Sequence, residues 1–364
     1  MSEDIRVKIQ ELEEELRKTK YNKRTQHHVG LIKAKIATLK EKIESRARGK
    51  GKTEGYSVKK TGDGTAILIG FPSVGKSTLL NSLTNADSKT ASYDFTTIDI
   101  IPGLMFYKTA KIQILDIPGI IEGASHGKGL GRRVLAATRV ADLIVILLDI
   151  KNLKDYDVIM KELYDARFRL NQIRPDVRIK KTNKGGISIA TTVKLSLLKE
   201  TIKGILNEFR VINADVIIRE GINEDQLIDC IEGNRDYVPA LTVINKIDSV
   251  DHNTLEKAKQ KFKDALFISA KNLENVEEIR EQIFQKLGLI RIYMKQPSKE
   301  TDKEEPLIIK KDSTIKDVCR KIHKDFLKKF RFARVWGKSS KYPGQKFNLK
   351  HTLEDEDVLE LHLS

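Results

Sequence analysis

Apolar positions along the chain change texture from one part to the next. Ile5, Ile9, Leu12 and Leu16, then Val29, Ile32, Ile36, Leu39 and Ile43, recur at the spacing of one helical face. The polar stretch 20–25 separates the two sets, which predicts an antiparallel helical hairpin. From Thr65, short apolar runs alternate with helical patterns, at 66–69, 112–117, Leu143–Asp149, 241–244 and 266–268. Unbroken runs of that length suit strands buried on both faces, hence an α/β fold with a largely parallel sheet covered by helices. The interval from Asp149 to Leu241 is too long for one crossover helix and carries its own pieces at 187–192, 199–209 and 215–219. It predicts a small inserted α/β module. After Gly288 a Pro- and charge-rich joint leads to a last unit. A strand at 306–310, a helix capped by Ser313 and running to about Lys329, and strands at 332–336 and 358–363 are expected there.

These textures divide the chain into 1–62 (helical region and basic linker), 63–165 and 237–289 (two parts of one α/β domain), 166–236 (the insert) and 290–364 (the last unit). Its 364 residues are too many for one compact core. At 40% hydrophobic and 32% charged residues, disordered and collagen-like chains are excluded. Cys230 and Cys319 are too few and too far apart for a disulfide framework or a cysteine metal site. No apolar run approaches the length of a membrane span, and the charged start lacks a signal-peptide core, so a cytoplasmic protein with no membrane partner is expected. The net charge of +16 is uneven: 1–64 carries +7, 166–219 carries +8 and 289–364 carries +6, while the remainder is at −5. Basic modules appended to a near-neutral core suit a polyanionic partner.

The strongest chemical signal is Gly70-Phe71-Pro72-Ser73-Val74-Gly75-Lys76-Ser77-Thr78, between an expected strand and an expected helix. Glycines let backbone N–H groups converge on phosphates, Lys76 can reach the β and γ oxygens, and Ser77 can ligate Mg²⁺. Downstream, Asp116-Ile117-Pro118-Gly119 closes a strand. Its carboxylate can hold a Mg²⁺-bound water and the Gly119 N–H can meet a γ-phosphate. Asn245-Lys246-Ile247-Asp248 ends another strand, where a carboxylate accepts paired hydrogen bonds from guanine that adenine cannot supply. Ser269-Ala270-Lys271 would give backbone contact to the guanine O6. Phe95-Thr96-Thr97 holds the hydroxyl expected to complete the Mg²⁺ shell, with Thr97 preferred. In this order the five elements are the pattern of Ras-like P-loop GTPases, binding GTP and hydrolysing it to GDP and phosphate.

The residues 70–80, 93–97 and 116–124 resemble the Obg-related, TRAFAC-class GTPases. Three further features are similar to the developmentally regulated GTP-binding protein (DRG) branch: Asn22-Lys-Arg-Thr-Gln-His-His28 with Gly30-Leu-Ile-Lys-Ala-Lys35, the insert's Glu232-Gly-Asn-Arg235, and Pro343-Gly-Gln345 with Leu353-Glu-Asp-Glu-Asp-Val358. The resemblance spans nearly the whole chain. It implies a Ras-like GTPase domain with an N-terminal helical region, an α/β insertion and a C-terminal TGS domain of β-grasp fold. It also implies association with ribosomes and a stabilising partner protein.

Ile120 stands where Ras-type enzymes carry the water-orienting glutamine. An aliphatic side chain cannot position water, so no catalytic residue is assigned and slow intrinsic turnover is expected. A bound K⁺, a residue of the glycine-rich segment 122–131, or a group donated by a partner are the candidate substitutes. Ser73 occupies the loop position where related K⁺-dependent enzymes often have Asn. Basic clusters at Arg178, Lys180, Lys181 and Lys184 and at Lys321, Lys324, Lys328, Lys329, Arg331 and Arg334 suit RNA phosphates. The spacing of Phe330, Phe332 and Trp336 predicts core packing, which leaves docking on structured RNA by shape and charge, with no DNA specificity. The alternative is a nucleotide-gated scaffold whose helical and TGS units bind proteins without RNA contact.

Overall fold

The computed structural model describes residues 2–47, 62–84, 101–116, 141–297, 299, 301 and 304–363. In chain order they form α1 (Ser2–Lys18), α2 (Gln26–Ala47), β1 (Gly64–Ile69), α3 (Lys76–Leu83), β2 (Ile101–Tyr107), β3 (Ala110–Asp116) and β4 (Leu143–Asp149). Then come α4 (Asp155–Asp165), β5 (Phe168–Leu170), β6 (Val177–Lys181), β7 (Ile187–Thr191), α5 (Lys199–Glu208), β8 (Ala214–Ile218), α6 (Glu224–Glu232), β9 (Asp236–Val238) and β10 (Ala240–Asn245). The chain closes with α7 (His252–Lys261), β11 (Leu266–Phe267), α8 (Val276–Lys286), β12 (Leu289–Lys295), β13 (Leu307–Lys310), α9 (Ile315–Ile322), α10 (Lys324–Lys329), β14 (Phe330–Trp336), β15 (Gln345–Phe347) and β16 (Asp357–Leu363). Among the described residues, no helix is long and apolar enough to cross a membrane.

Two compact units emerge. One joins Met1–Gly55 to Gln172–Tyr237. Its sheet runs β6-β8-β7, with Val216 and Ile218 of β8 buried against Ile202, Ile205 and Leu206 of α5. The N-terminal helices do not stand alone. Ala34 of α2 belongs to the same core, and a Cβ built on Gly30 would lie 3.0 Å from Thr201 Cγ2 and 3.2 Å from Ile205 Cδ1. The bare α-carbon therefore lets α2 approach α5 closely. Polar groups pin the contact: the Gln26 amide donates to Ser196 O at 3.1 Å and accepts from Leu198 N at 3.1 Å. Lys33 pairs with Asp225 at 2.7 Å, and the Tyr21 hydroxyl donates to Glu224 at 2.8 Å.

The other unit holds Tyr56–Asn171 and Val238–Ser364. Its larger sheet has the order β11-β10-β4-β1-β3-β2, parallel except for β2, which pairs antiparallel with β3. Ile67, Ile69, Ile144, Ile146 and Leu148 face one apolar layer, and Ala66, Leu68, Leu143, Val145 and Leu147 the other, so both faces are buried as unbroken hydrophobic strands require. The second sheet has the order β13-β12-β16-β14-β15. Ile292, Ala333, Val335 and Leu359 pack on one of its faces against Ile315, Val318 and Cys319 of α9.

This sheet corrects several expectations. The joint after Gly288 is itself a strand, β12, lying between β13 and β16, because Leu289, Ile290 and Ile292 are buried. Thr314, not Ser313, precedes the helix, with the Asp317 carboxylate accepting from its N–H at 2.9 Å and its hydroxyl at 2.7 Å. The helix stops at Ile322, since His323 is extended (φ −161°, ψ 140°), and restarts at Lys324. Of the three aromatics, Phe330 packs on the core. Phe332 and Trp336 lie with Arg334 on the opposite face, because a register shift between Phe330 and Phe332 flips the strand's alternation. Strands β2 and β15 were not expected either.

Gly30→Leu should force α2 away from α5 and cost about 1–3 kcal/mol. Hydrogen exchange should speed up in α2 and α5 while β4 keeps its protection; unchanged α2 protection would contradict this packing.

Candidate functional site

The carboxyl ends of β1, β3 and β10, with the loop after β11, converge on one edge of the larger sheet. Beyond Ile69 the chain turns through 70–75 before α3 begins at Lys76. Two glycines are obligatory in that turn. A Cβ on Gly70 would fall 2.5 Å from Leu147 O, and one on Gly75, whose φ is +97°, would fall 2.4 Å from Asn245 Nδ2. Ser73 also has a left-handed backbone, at φ 62°. Phe71 packs on both apolar layers of the sheet, whereas Pro72 and Ser73 are exposed. Val74 is buried, while Ser77 and Thr78 open to solvent on the first turn of α3. Among the described residues that turn has no side-chain N-cap, and the N–H groups of such a turn suit an anion.

Lys76 is folded over this turn, its Nζ donating to Gly70 O and Phe71 O, each at 3.0 Å. Burial pushes its ammonium below the usual lysine range, against an upward pull from the Asp116 carboxylate. Asp116, 2% exposed at the end of β3, accepts from the Ser77 hydroxyl at 2.9 Å through Oδ2. Its Oδ1 is buried and makes no hydrogen bond among the described residues.

Asn245 joins the segments. Its Nδ2 donates to Val74 O and its Oδ1 accepts from Ala270 N, both at 2.9 Å. Lys246, left-handed at φ 67°, sends its Nζ to Ser73 O and to Asp149 Oδ2, each at 2.7 Å. Burial alone would raise the Asp149 carboxyl, but the hydrogen bonds from Lys246 and the Lys151 N–H outweigh it and hold it below the usual range. The exposed Asp248 accepts from the hydroxyl of the fully buried Ser269 at 2.5 Å through Oδ1. Ala270 is buried and Lys271 exposed beside them.

The structure thus gathers 70–78, Asp116, 245–248 and 269–271 on one edge. Phe95, Thr96, Thr97, Ile117, Pro118, Gly119 and Ile120 lie outside the described residues, as does the segment 122–131. Asp149 escaped the sequence reading, although a lone carboxylate ending an apolar strand was the available signal. Replacing Gly75 by Ala should displace Asn245 and strain the φ +97° backbone, lowering guanine-nucleotide affinity at least about tenfold with the β1–β4 core intact. Calorimetric titration with GDP checks this, and unchanged affinity would contradict the close approach.

Residues 65–180 match a family described as 50S ribosome-binding GTPase, 184–289 match the C-terminal region of that family's domain, and 290–363 match the TGS domain. An uncharacterized GTP-binding protein of Methanocaldococcus jannaschii is 52% identical over 360 residues, covering 98% of this chain and 92% of that protein. Developmentally-regulated G-protein 3 of Arabidopsis thaliana is 44% identical, covering 98% of each. Developmentally-regulated GTP-binding protein 2 of Homo sapiens is 41% identical, covering 98% of this chain and 99% of that protein. A P-loop sheet and a C-terminal TGS sheet, with identity at this level along nearly the whole length, make the chain a member of the developmentally regulated GTP-binding protein family, a GTP-binding GTPase.

Proposed function

We propose that the chain is a slow GTP-hydrolysing switch that docks on the ribosome. The observation that carries the switch chemistry is the Ser77–Asp116 pair. A buried carboxylate with one oxygen held by a serine hydroxyl and the other unpartnered is an all-oxygen donor set of the kind a hard divalent cation prefers. These residues fit Mg²⁺, which Ser77 would hold directly and Asp116 through water, with Thr97 as the expected third donor. When bound, Mg²⁺ neutralises charge on the β and γ phosphates.

The protein's own groups supply the rest. Backbone N–H groups of 73–77 cradle the phosphates, and Lys76 exchanges its two carbonyl partners for phosphate oxygens, which gives an anionic partner to a half-buried ammonium. Asp248, oriented by Ser269, reads guanine; Asn245 and Lys246 keep the base-reading and phosphate-binding turns in fixed register. No side chain at Ile120 can orient water, so turnover depends on K⁺, on the segment 122–131 or on a partner. The described family name and the basic excess of 1–64, 166–219 and 289–364 support the ribosome as the polyanion, by contacts with structured RNA. A stabilising partner protein, by family resemblance, and a cytoplasmic location belong to the same proposal.

Alone, the protein should turn over GTP at about 10⁻⁴ to 10⁻² s⁻¹; many turnovers per second without any partner would refute the slow switch. Asp248→Ala should cut the preference for GTP over ATP by about 100-fold or more, measured by competition binding. Sedimentation with ribosomes in GDP, GTP and a non-hydrolysable analogue, with and without K⁺, tests the docking. Binding should favour the GTP forms and weaken steeply as salt rises, and its absence at low salt would favour the protein-binding scaffold.

A further inference from the structure

Helices cover one face of the C-terminal sheet, and on the opposite face the first sheet's apolar layer takes Leu289 of β12 and Ile308 of β13. Beyond those two, alternation along β14 and its neighbours brings together Phe332, Arg334 and Trp336 with Lys295, Lys346 and His362 on that opposite face. Phe332 stacks on His362 at 4.2 Å between ring centroids and 16° between planes. Lys346 Nζ rests 4.7 Å from the Phe332 centroid, and Lys295 Nζ rests 4.4 Å from that of Trp336. Arg334 sits between the two aromatics, opposite Glu360 on one side and Lys346 on the other, with its buried Nε making no hydrogen bond. Glu360 is the carboxylate of this row. It is 3% exposed and already takes Lys295 at 2.8 Å and His362 at 2.6 Å.

Half-buried rings capped by ammonium groups, around a guanidinium with spare donor capacity, do not suit an apolar partner or a cationic one. They suit a polyanion whose charges are interleaved with flat faces. A base can take the ring face while the displaced ammonium moves to the adjoining phosphate, so one exchange satisfies both groups. Phe332 and Trp336 are four residues apart on one strand, roughly 13 Å, which makes two separate platforms with Arg334 between them.

We propose that this part of the sheet face binds single-stranded RNA, stacking bases on Phe332 and Trp336 and pairing phosphates with Lys295, Arg334 and Lys346. The choice of RNA over other single strands rests on the ribosome reading above. The mode differs from the shape-and-charge docking that the sequence suggested, because rings expected in the core lie outside it.

Trp336 is the chain's one tryptophan, so its emission reports this face directly. The full chain, loaded with GDP, is titrated with a mixed-sequence single-stranded RNA 12-mer, with a duplex RNA of similar length and with polyglutamate. The single strand should quench Trp336 saturably, and its affinity should fall with salt at a logarithmic slope of about −2, as three phosphate contacts predict. Phe332→Leu and Lys346→Glu should each weaken it about tenfold. The Lys346 side chain is exposed, so its variant remains informative if Phe332→Leu fails to fold. Absence of quenching at low salt, an equal response to the duplex or to polyglutamate, or wild-type affinity in Lys346→Glu would each overturn the proposal. Ribosome sedimentation run in parallel separates the two readings. Sedimentation without quenching overturns the sheet proposal alone, and quenching without sedimentation supports it while overturning the ribosome reading.

Discussion

The amide of Asn245 is the point on which the proposed nucleotide edge depends. One side chain at the end of β10 bonds Val74 O in the turn after β1 and Ala270 N in the turn after β11, so strands that are not neighbours share one fastener. It can lie there because Gly75 carries no side chain; a Cβ would occupy the same space. Lys246 repeats the arrangement one residue later by reaching Ser73 O, and Asp149 steadies it from β4. The two bonds of Asn245 are buried and the Lys246–Asp149 pair is half-buried, where an unmade partner costs more than a made one gains. The edge is therefore set before ligand arrives, and recognition need not organise it afresh.

Most of the proposed nucleotide edge was legible in the sequence because its chemistry is local. The glycines, Lys76 and Ser77 follow one another, and Asp116, Asn245, Asp248 and Ser269 each close or follow an apolar run that no other pattern explains. What escaped depended on events between distant segments. Asp149 reads as a strand end until Lys246 lies across it. The alliance of α2 with α5 hangs on Gly30 meeting Thr201, a partner that helical spacing cannot name. In the C-terminal sheet, strict alternation sent Phe330, Phe332 and Trp336 to the same side, and a single register shift undid the inference for two of them. The central strand β12 was obscured by the charged residues that follow it, although Leu289, Ile290 and Ile292 carry the apolar pattern.

The basic excess also changes meaning once the side chains have neighbours. Lys321 pairs with Asp63 at 2.9 Å, Lys310 with Asp142 at 2.9 Å and Lys33 with Asp225 at 2.7 Å, so a share of the positive charge is engaged within its own unit. Exposed pairs of this kind contribute little stability each. They do remove those lysines from the pool a polyanion would meet, whereas Lys346, on the outer face of the C-terminal sheet, is exposed beside the Phe332 ring.

Leu287, Leu289 and Ile308 belong to the same apolar layer as Leu68, Val145 and Leu147. The two sheets of the larger unit are thus continuous in their cores and tied at Asp142 and Asp63 as well. Elements packed into one core can form a single cooperative unit of opening. A ligand held at the edge of the first sheet then protects the second by mass action, without touching it. Nucleotide bound at the proposed edge would then add to the endurance of the C-terminal sheet against heat or proteases.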